Sequence, residues 1–518
     1  MESNKKYVLG LDIGTTSTKA TIFTITGRFV GSEFVEYPII HPRPDWAEQD
    51  PKVIYQAVLD SIRLVIKNTF INHEELIGIG ISSAMHSLIA VGKDGSLLTN
   101  SIIWADNRSV SYVNKLKAGN GHDIYMRTGT PIHPMSPLSK ILWFKGEQPE
   151  LFESVQMWIS IKEYVTWRWF NQYFVDYSIA STTGLFNLEQ LEWDKEALNL
   201  SGITERQLSR PVPTTAIFTG MNKSAAEYMG ISESIPVIAG ASDGVLANLG
   251  VGAIDEGEVA VTIGTSGAIR TIVDKPLTDI KGRTFCYALT EDKWVIGGPV
   301  NNGGVALRWF RDQFGFQDAE EARLSGTDVY DVMVNIAAKV PAGSSGLLFL
   351  PYLTGERAPH WDANSRGTFF GISLTHKREH FIRAVMEGVV LAVQSVGDVL
   401  EELSGKSKEI RVSGGFARSV LWRQIMADVF DQKVVVPESH ESSGLGASVL
   451  VLYALGYIEN LSAVKQMVHV ADNQQPIAEN VNVYKELSPI YKSLYNQLKI
   501  QFESIADFQR RMGGNYAK

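Results

Sequence analysis

Residues 7–11 form an apolar run that stops at Asp12, and a second run occupies residues 20–23. Apolar runs this short, bounded by turn residues, read as buried strands, so the pair predicts a β-hairpin with a second turn at Thr26-Gly27. The pattern returns at residues 258–273, again strand, small polar turn and strand, with Gly14 and Gly264 standing 250 residues apart in a chain of 518. A unit recurring at half the chain length predicts two related lobes, since solenoid repeats recur about every 20–50 residues. Asp50-Pro51 reads as N-cap and first residue of a helix. Val53, Ile54, Ala57, Val58, Ile62 and Val65 follow at helical spacing, which predicts one buried face. Further strands are predicted at 76–81, 101–104, 236–239 and 434–436, and helices at 245–249 and 380–403, the latter burying Ile382, Val385, Val389 and Val393. Gly250-Val251-Gly252 permits a hinge, which divides the chain into 1–252 and 253–518, and the tail after about residue 459 reads as polar helix.

Both hairpins carry hydroxyls in their turns: Gly14-Thr15-Thr16-Ser17-Thr18-Lys19 in the first and Gly264-Thr265-Ser266-Gly267 in the second. Backbone N–H groups and hydroxyls in such a turn can approach a phosphate chain. Asp12 at the strand end suits a magnesium ion, a hard cation that prefers carboxylate and water oxygens. A polar turn without any ligand explains one hairpin as well; the second copy favours two phosphate loops gripping a nucleotide from both sides.

Composition narrows the class. At 518 residues the chain exceeds a single core, and 44% apolar with 20% charged residues is globular usage. A net charge of −9 argues against nucleic acid as a partner and leaves an anionic substrate dependent on local cations. One cysteine, Cys286, excludes an internal disulfide, speaks against a zinc cluster and fits a reducing cytoplasm. The polar segment 1–6 and the short run behind it do not make a signal peptide, and no run approaches the roughly 18 apolar residues of a membrane span. Ser404-Gly405-Lys406-Ser407 lacks the first glycine of a P-loop, and Gly78-Ile79-Gly80 lacks the third glycine of a dinucleotide fingerprint.

Strand ends supply the remaining chemistry, because ligands of open α/β sheets gather beyond the C-terminal ends of strands. Met85-His86 follows one strand, Trp104 and Arg108 another, and Asp243 a third, in Gly240-Ala241-Ser242-Asp243-Gly244. A carboxylate among small residues at a strand end is placed for general-base work. The hairpin pair resembles the phosphate loops of the actin, heat-shock chaperone and sugar-kinase superfamily. Met135, Pro137, Lys140, Trp143 and Phe144 resemble the first signature of the FGGY carbohydrate kinases, with Gly146 where a polar residue is usual. Residues 355–359, 367–372 and 380–387 resemble the second signature, and Gly414-Gly415 with Ser419 the adenosine loop.

The resemblance implies an α/β protein of two actin-like (ribonuclease H-like) lobes with a catalytic cleft between them, using ATP and Mg²⁺. It implies Asp243 as the base and substrate contact, with Asp12 and Asp243 at the metal, and Gly14, Thr15, Thr16, Ser17, Lys19, Gly264, Thr265, Ser266, Gly304, Arg308, Gly414, Gly415 and Ser419 at the nucleotide. Arg308 stands where relatives often have glutamine, and the helix it occupies is expected to offer free N–H groups to an anion. Met85, His86, Trp104, Arg108 and His133 are the implied sugar-binding residues. Their segments look most like those of members that phosphorylate gluconate, which points to a sugar-acid substrate, D-gluconate, converted to 6-phosphogluconate. His86, Arg108 and His133 are the candidate cations for its carboxylate. Xylulose or another sugar or polyol is the alternative substrate, a homodimer is compatible, and no nucleic acid or membrane partner is implied. An actin-like filament or chaperone ATPase is the more remote reading; neither needs the second signature or Met85-His86.

Overall fold

The computed structural model describes residues 6–438 and 441–516, with side chains to 512; of the polar segment 1–6, only Lys6 falls within it. Two compact units emerge, one of Met1–Glu256, Ile272–Ile296 and Glu441–His469, the other of Gly257–Thr271, Gly297–His440 and Val470–Lys518.

The first unit is built on a six-stranded sheet. The predicted hairpin is β1 (Tyr7–Ile13) and β2 (Ser17–Thr24), extended by β3 (Phe29–Glu36). Helix α1 (Pro51–Thr69) starts as predicted, with Pro51 at its first turn and the Asp50 side chain accepting from Lys52 N at 2.8 Å. Parallel to β1 runs β4 (Leu76–Ser83). Helix α2 (Pro137–Glu147) follows, then β5 (Val237–Ser242), parallel to β4, and α3 (Asp243–Gly250). The sheet order is Ile217–Phe218, β5, β4, β1, β2, β3.

Alternation along β1 explains the two layers around this sheet. Leu9, Leu11 and Ile13 bury with Ile54, Val58 and Ile62 of α1. Val8 buries on the opposite face with Val245, Leu249, Leu445 and Leu450. Gly10 also faces that side, and a Cβ there would overlap the carbonyl of Gly444 in the helix Ser442–Ala454. A third cluster, including Leu88, Ile141, Phe144, Trp158 and Phe186, forms the core around α2. Val53 departs from expectation at 44% exposure, because it stands at the edge of the buried stripe centred on Ile54, Val58, Ile62 and Val65.

In the second unit, β6 (Glu258–Ile263) and β7 (Gly267–Val273) form the second hairpin. Helices α4 (Gly304–Phe314) and α5 (Arg378–Ser404) follow; α5 buries Ile382, Val385, Val389 and Val393 as predicted. Strand β8 (Glu409–Ser413) is parallel to β6 and to β9 (Lys433–Pro437). The tail is not wholly helical: β10 (Val470–Gln474) pairs antiparallel with β9 before the helix Ala478–Tyr516. Among the described residues, no helix is long and apolar enough to cross a membrane.

Candidate active site

The parallel strands β1, β4 and β5 bring Asp12, Ser82 and Ala241 into one row, Asp12 opposite Ser82 and Ser82 opposite Ala241. Asp12 is half-buried and its Oδ1 accepts from Ser82 Oγ at 2.6 Å. Burial raises its carboxyl pKa, against the lowering effects of the Ser82 bond and the Lys19 ammonium. Two residues beyond Ala241, Asp243 opens α3, its Oδ1 accepting from Gly244 N at 2.7 Å.

The contacts that hold the strand end before Asp243 were not legible in the sequence. Ser242 N donates to Ser178 Oγ at 3.1 Å, and Ser178 Oγ donates to Ser242 Oγ at 3.0 Å. Ser178 lies in the short helix Tyr177–Ser181, capped by Asp176, and Asp176 is buried against Lys162 at 2.7 Å. Desolvation raises the Asp176 pKa and lowers that of Lys162, while each charge opposes the other's shift. The 176–184 loop therefore bolts down the strand that presents Asp243.

The first polar turn is braced on three sides. Gly14 N donates to Ser17 O at 2.9 Å, Tyr37 Oη to Gly14 O at 2.7 Å, and Gln49 Nε2 to Thr15 O at 2.6 Å. Trp104 Nε1 donates to Thr15 Oγ1 at 3.0 Å, which joins an expected sugar residue to the expected phosphate loop. Thr16 is exposed and Ser17 half-buried. Lys19 is paired with Glu441 at 3.0 Å, so its charge is already partly compensated.

Among the expected sugar residues, Met85 is half-buried, packed against two core clusters. His86 is buried in a left-handed conformation (φ 68°), its Nδ1 2.8 Å from Thr182 O. A carbonyl only accepts, so Nδ1 carries the proton. The ring packs edge-on to Tyr287 with centroids 6.0 Å apart. His133 is half-buried and its Nδ1 accepts from Met135 N at 3.2 Å. Arg108, expected as a cation for a substrate carboxylate, is occupied otherwise. Its Nη2 binds Asp106 at 2.8 Å and Glu48 at 2.5 Å, its face lies 3.8 Å from the Trp46 ring centroid, and its side chain is 3% exposed. Two carboxylates already balance this guanidinium.

In the second unit the turn around Gly264 meets two other loops. Gly304 N donates to Gly264 O at 2.7 Å, and Gly303 N and Val305 N to Thr265 O at 3.1 and 3.2 Å. The first N–H groups of α4, expected to face an anion, are thus used to hold the turn carrying Thr265 and Ser266. Arg308 Nη2 donates to Thr265 Oγ1 at 3.3 Å, and the guanidinium has no carboxylate partner among the described residues. Gly414 follows β8 at φ 91°, and a Cβ there would meet Ile263 O at 2.5 Å, so the backbone of Gly414-Gly415 passes against the end of β6. Ser419 uses its hydroxyl to cap the helix Val420–Phe430, accepting from Trp422 N at 3.2 Å.

Glu356 supports this loop cluster and was missed as a site residue. Its Oε1 accepts from Asn301 N at 2.5 Å and Arg357 N at 2.8 Å, while Oε2 is buried without a partner. Burial pushes its pKa up to about 7, against the lowering effect of the two backbone bonds. Among the described residues, no three His, Cys, Asp or Glu side chains form a metal-binding group.

Comparison with known proteins matches residues 7–250 to the N-terminal domain, and 259–455 to the C-terminal domain, of the FGGY family of carbohydrate kinases. A gluconokinase of Bacillus subtilis (strain 168) is 52% identical over 507 residues, covering 97% of this chain and 98% of the relative. A xylulose kinase of the same strain is 29% identical, covering 98% of this chain and 100% of the relative. The crystal structure of a gluconate kinase from Lactobacillus acidophilus superimposes with a TM-score of 0.92 at 39% identity, covering 97% of this chain and 100% of that one.

Proposed function

Because the chain belongs to the FGGY family of carbohydrate kinases, we propose that it transfers the γ-phosphoryl group of ATP to the 6-hydroxyl of D-gluconate. The observation that carries this reading is 52% identity to a gluconokinase along nearly the whole chain, against 29% to a xylulose kinase from the same organism.

Met85, His86, Trp104 and His133 hold the sugar acid, and the two histidines, not Arg108, are the candidates to meet its carboxylate. Asp243 accepts the hydroxyl proton as the oxygen attacks the γ-phosphorus, and ADP leaves. Transfer of this kind asks for positioning and charge stabilisation more than for covalent chemistry. Gly14, Thr15, Thr16, Ser17, Gly264, Thr265 and Ser266 surround the phosphates, with Arg308 as the uncompensated cation beside Thr265. Gly304, Gly414 and Gly415 line the nucleoside, while Ser419 acts through its helix cap.

A single strand-end carboxylate with one hydrogen bond fits Mg²⁺, which keeps several waters and takes its other ligands from phosphates. Asp12 would hold it, with Asp243 nearby in the sequence of strand ends, and the ion would neutralise charge on the phosphates. Cytoplasmic residence and a homodimer complete the reading.

A coupled ADP assay with gluconate, D-xylulose, glycerol, ribulose and fuculose tests it. Turnover concentrated on gluconate is expected; preference for xylulose would sink the substrate assignment, and ATP hydrolysis indifferent to every sugar would sink the kinase reading.

A further inference from the structure

Lys140 lies on α2, 0% exposed, and its ammonium makes three hydrogen bonds, all to backbone carbonyls: His86 O at 2.6 Å, Ile103 O at 2.9 Å and Ile102 O at 3.2 Å. It has no carboxylate of its own among the described residues; the nearest charges are Asp106 and Arg108, which are bound to each other. A lysine supplies three donors, and here each has an acceptor. The acceptors belong to two segments. One is the loop after β4, where His86 holds its left-handed conformation. The other is the stretch leading directly into Trp104, whose indole donates to Thr15 in the first polar turn. A single buried cation therefore ties the histidine loop to the tryptophan loop.

The ammonium does more than fill the core, since it donates to three carbonyls on two separate segments. A buried ammonium is costly unless fully hydrogen-bonded, and an apolar side chain would fill a core position without that cost. What the ammonium provides, and an apolar group does not, is a fixed separation between His86 and Trp104. We propose that Lys140 is a positioning residue that sets the spacing of the two sugar-binding loops, and so governs affinity for the sugar acid rather than for ATP. The inference rests on His86 and Trp104 being sugar-binding residues, as proposed above.

Desolvation lowers the Lys140 pKa to about 7; Asp106 opposes this shift and Arg108 adds to it. The charged groups acting on it are Asp106 and Arg108 from the turn after Trp104, with Glu48 bound to Arg108. A neutral amine has two N–H groups for three carbonyls, so one tie is lost as pH rises through about 7.

The test compares wild type, Lys140→Met, Lys140→Arg and His86→Ala as full-length enzymes, reading KM for gluconate and for ATP separately, with thermal unfolding as the check on folding. For a folded Lys140→Met, the gluconate KM should rise about tenfold or more while the ATP KM moves less than about threefold. Lys140→Arg, which keeps a cation, should recover part of the loss. An unchanged gluconate KM, or equal rises in both KM values, overturns the proposal. If Lys140→Met does not fold, Lys140→Gln, which keeps two N–H donors for the three carbonyls, takes its place. A raised gluconate KM with a level ATP KM supports the proposal, and an unchanged gluconate KM or equal rises in both overturn it. Should His86→Ala leave the gluconate KM unchanged, the sugar-site reading fails first; a large effect of His86→Ala beside none of Lys140→Met discards the positioning role alone.

Discussion

Two arginines with the same charge have opposite prospects at the residue scale. Arg108 sits between Asp106 and Glu48 with its side chain 3% exposed, so Arg108→Ala removes the cation paired with a buried and a half-buried carboxylate. Chemical denaturation should show a loss of about 3–5 kcal/mol. A near-neutral variant with a raised gluconate KM would instead return Arg108 to the substrate. Arg308 bonds only to Thr265 Oγ1 at 3.3 Å, and its charge is uncompensated among the described residues. Arg308→Gln should raise the ATP KM several-fold and spare the gluconate KM, because the proposed role of Arg308 is at the phosphates. Local sequence displayed the two hydroxyl turns and the strand end before Asp243, since each lies beside a short apolar run. It did not display the saturation of Arg108, because Glu48 lies 60 residues earlier, nor the tie through Lys140, whose acceptors lie 37 to 54 residues away.

Loops that hold an element in place carry their own titration. Glu356 fixes Asn301 and Arg357 through one oxygen and buries the other unpaired, with its pKa pushed up to about 7. The folded chain therefore keeps a proton that the unfolded chain releases. The stability linked to that proton is fully present below the ordinary glutamate range and is lost as pH rises to about 7. Glu356→Gln removes the titration and keeps an acceptor for the two N–H groups. The unfolding free energy of wild type relative to this variant should fall by up to about 3 kcal/mol between acid and neutral pH. A constant difference across that range would mean that Glu356 does not titrate there. Elements with strong periodicity, α1 and α5 above all, were legible to within a few residues. Strand β10 was not, because Val-Ala-Asp-Asn-Gln is polar and largely exposed, and only pairing with β9 makes it a strand.

For the whole molecule, chain order and compact units differ. The first unit takes its final layer from Glu441–His469, and Gly10 accommodates the backbone of Gly444 in that returning segment. A fragment of residues 1–252 would leave Val8, Ile238, Val245 and Leu246 without Leu445, Val449 and Leu450. Such a fragment should lack a cooperative thermal transition; a sharp one would show that the N-terminal half is complete without the returning helix. Half-length recurrence of the hairpins made the two-part plan visible, but a segment that crosses back over nearly 200 residues leaves no local pattern to read. The proposed chemistry turns on Asp243. The most direct measurement is ADP formation by wild type and Asp243→Asn at saturating gluconate and ATP with Mg²⁺. Gluconate-dependent turnover is expected in wild type and about 10²–10⁴-fold less in the variant with its fold intact. Equal turnover in the two proteins, or none that depends on gluconate in wild type, would contradict it.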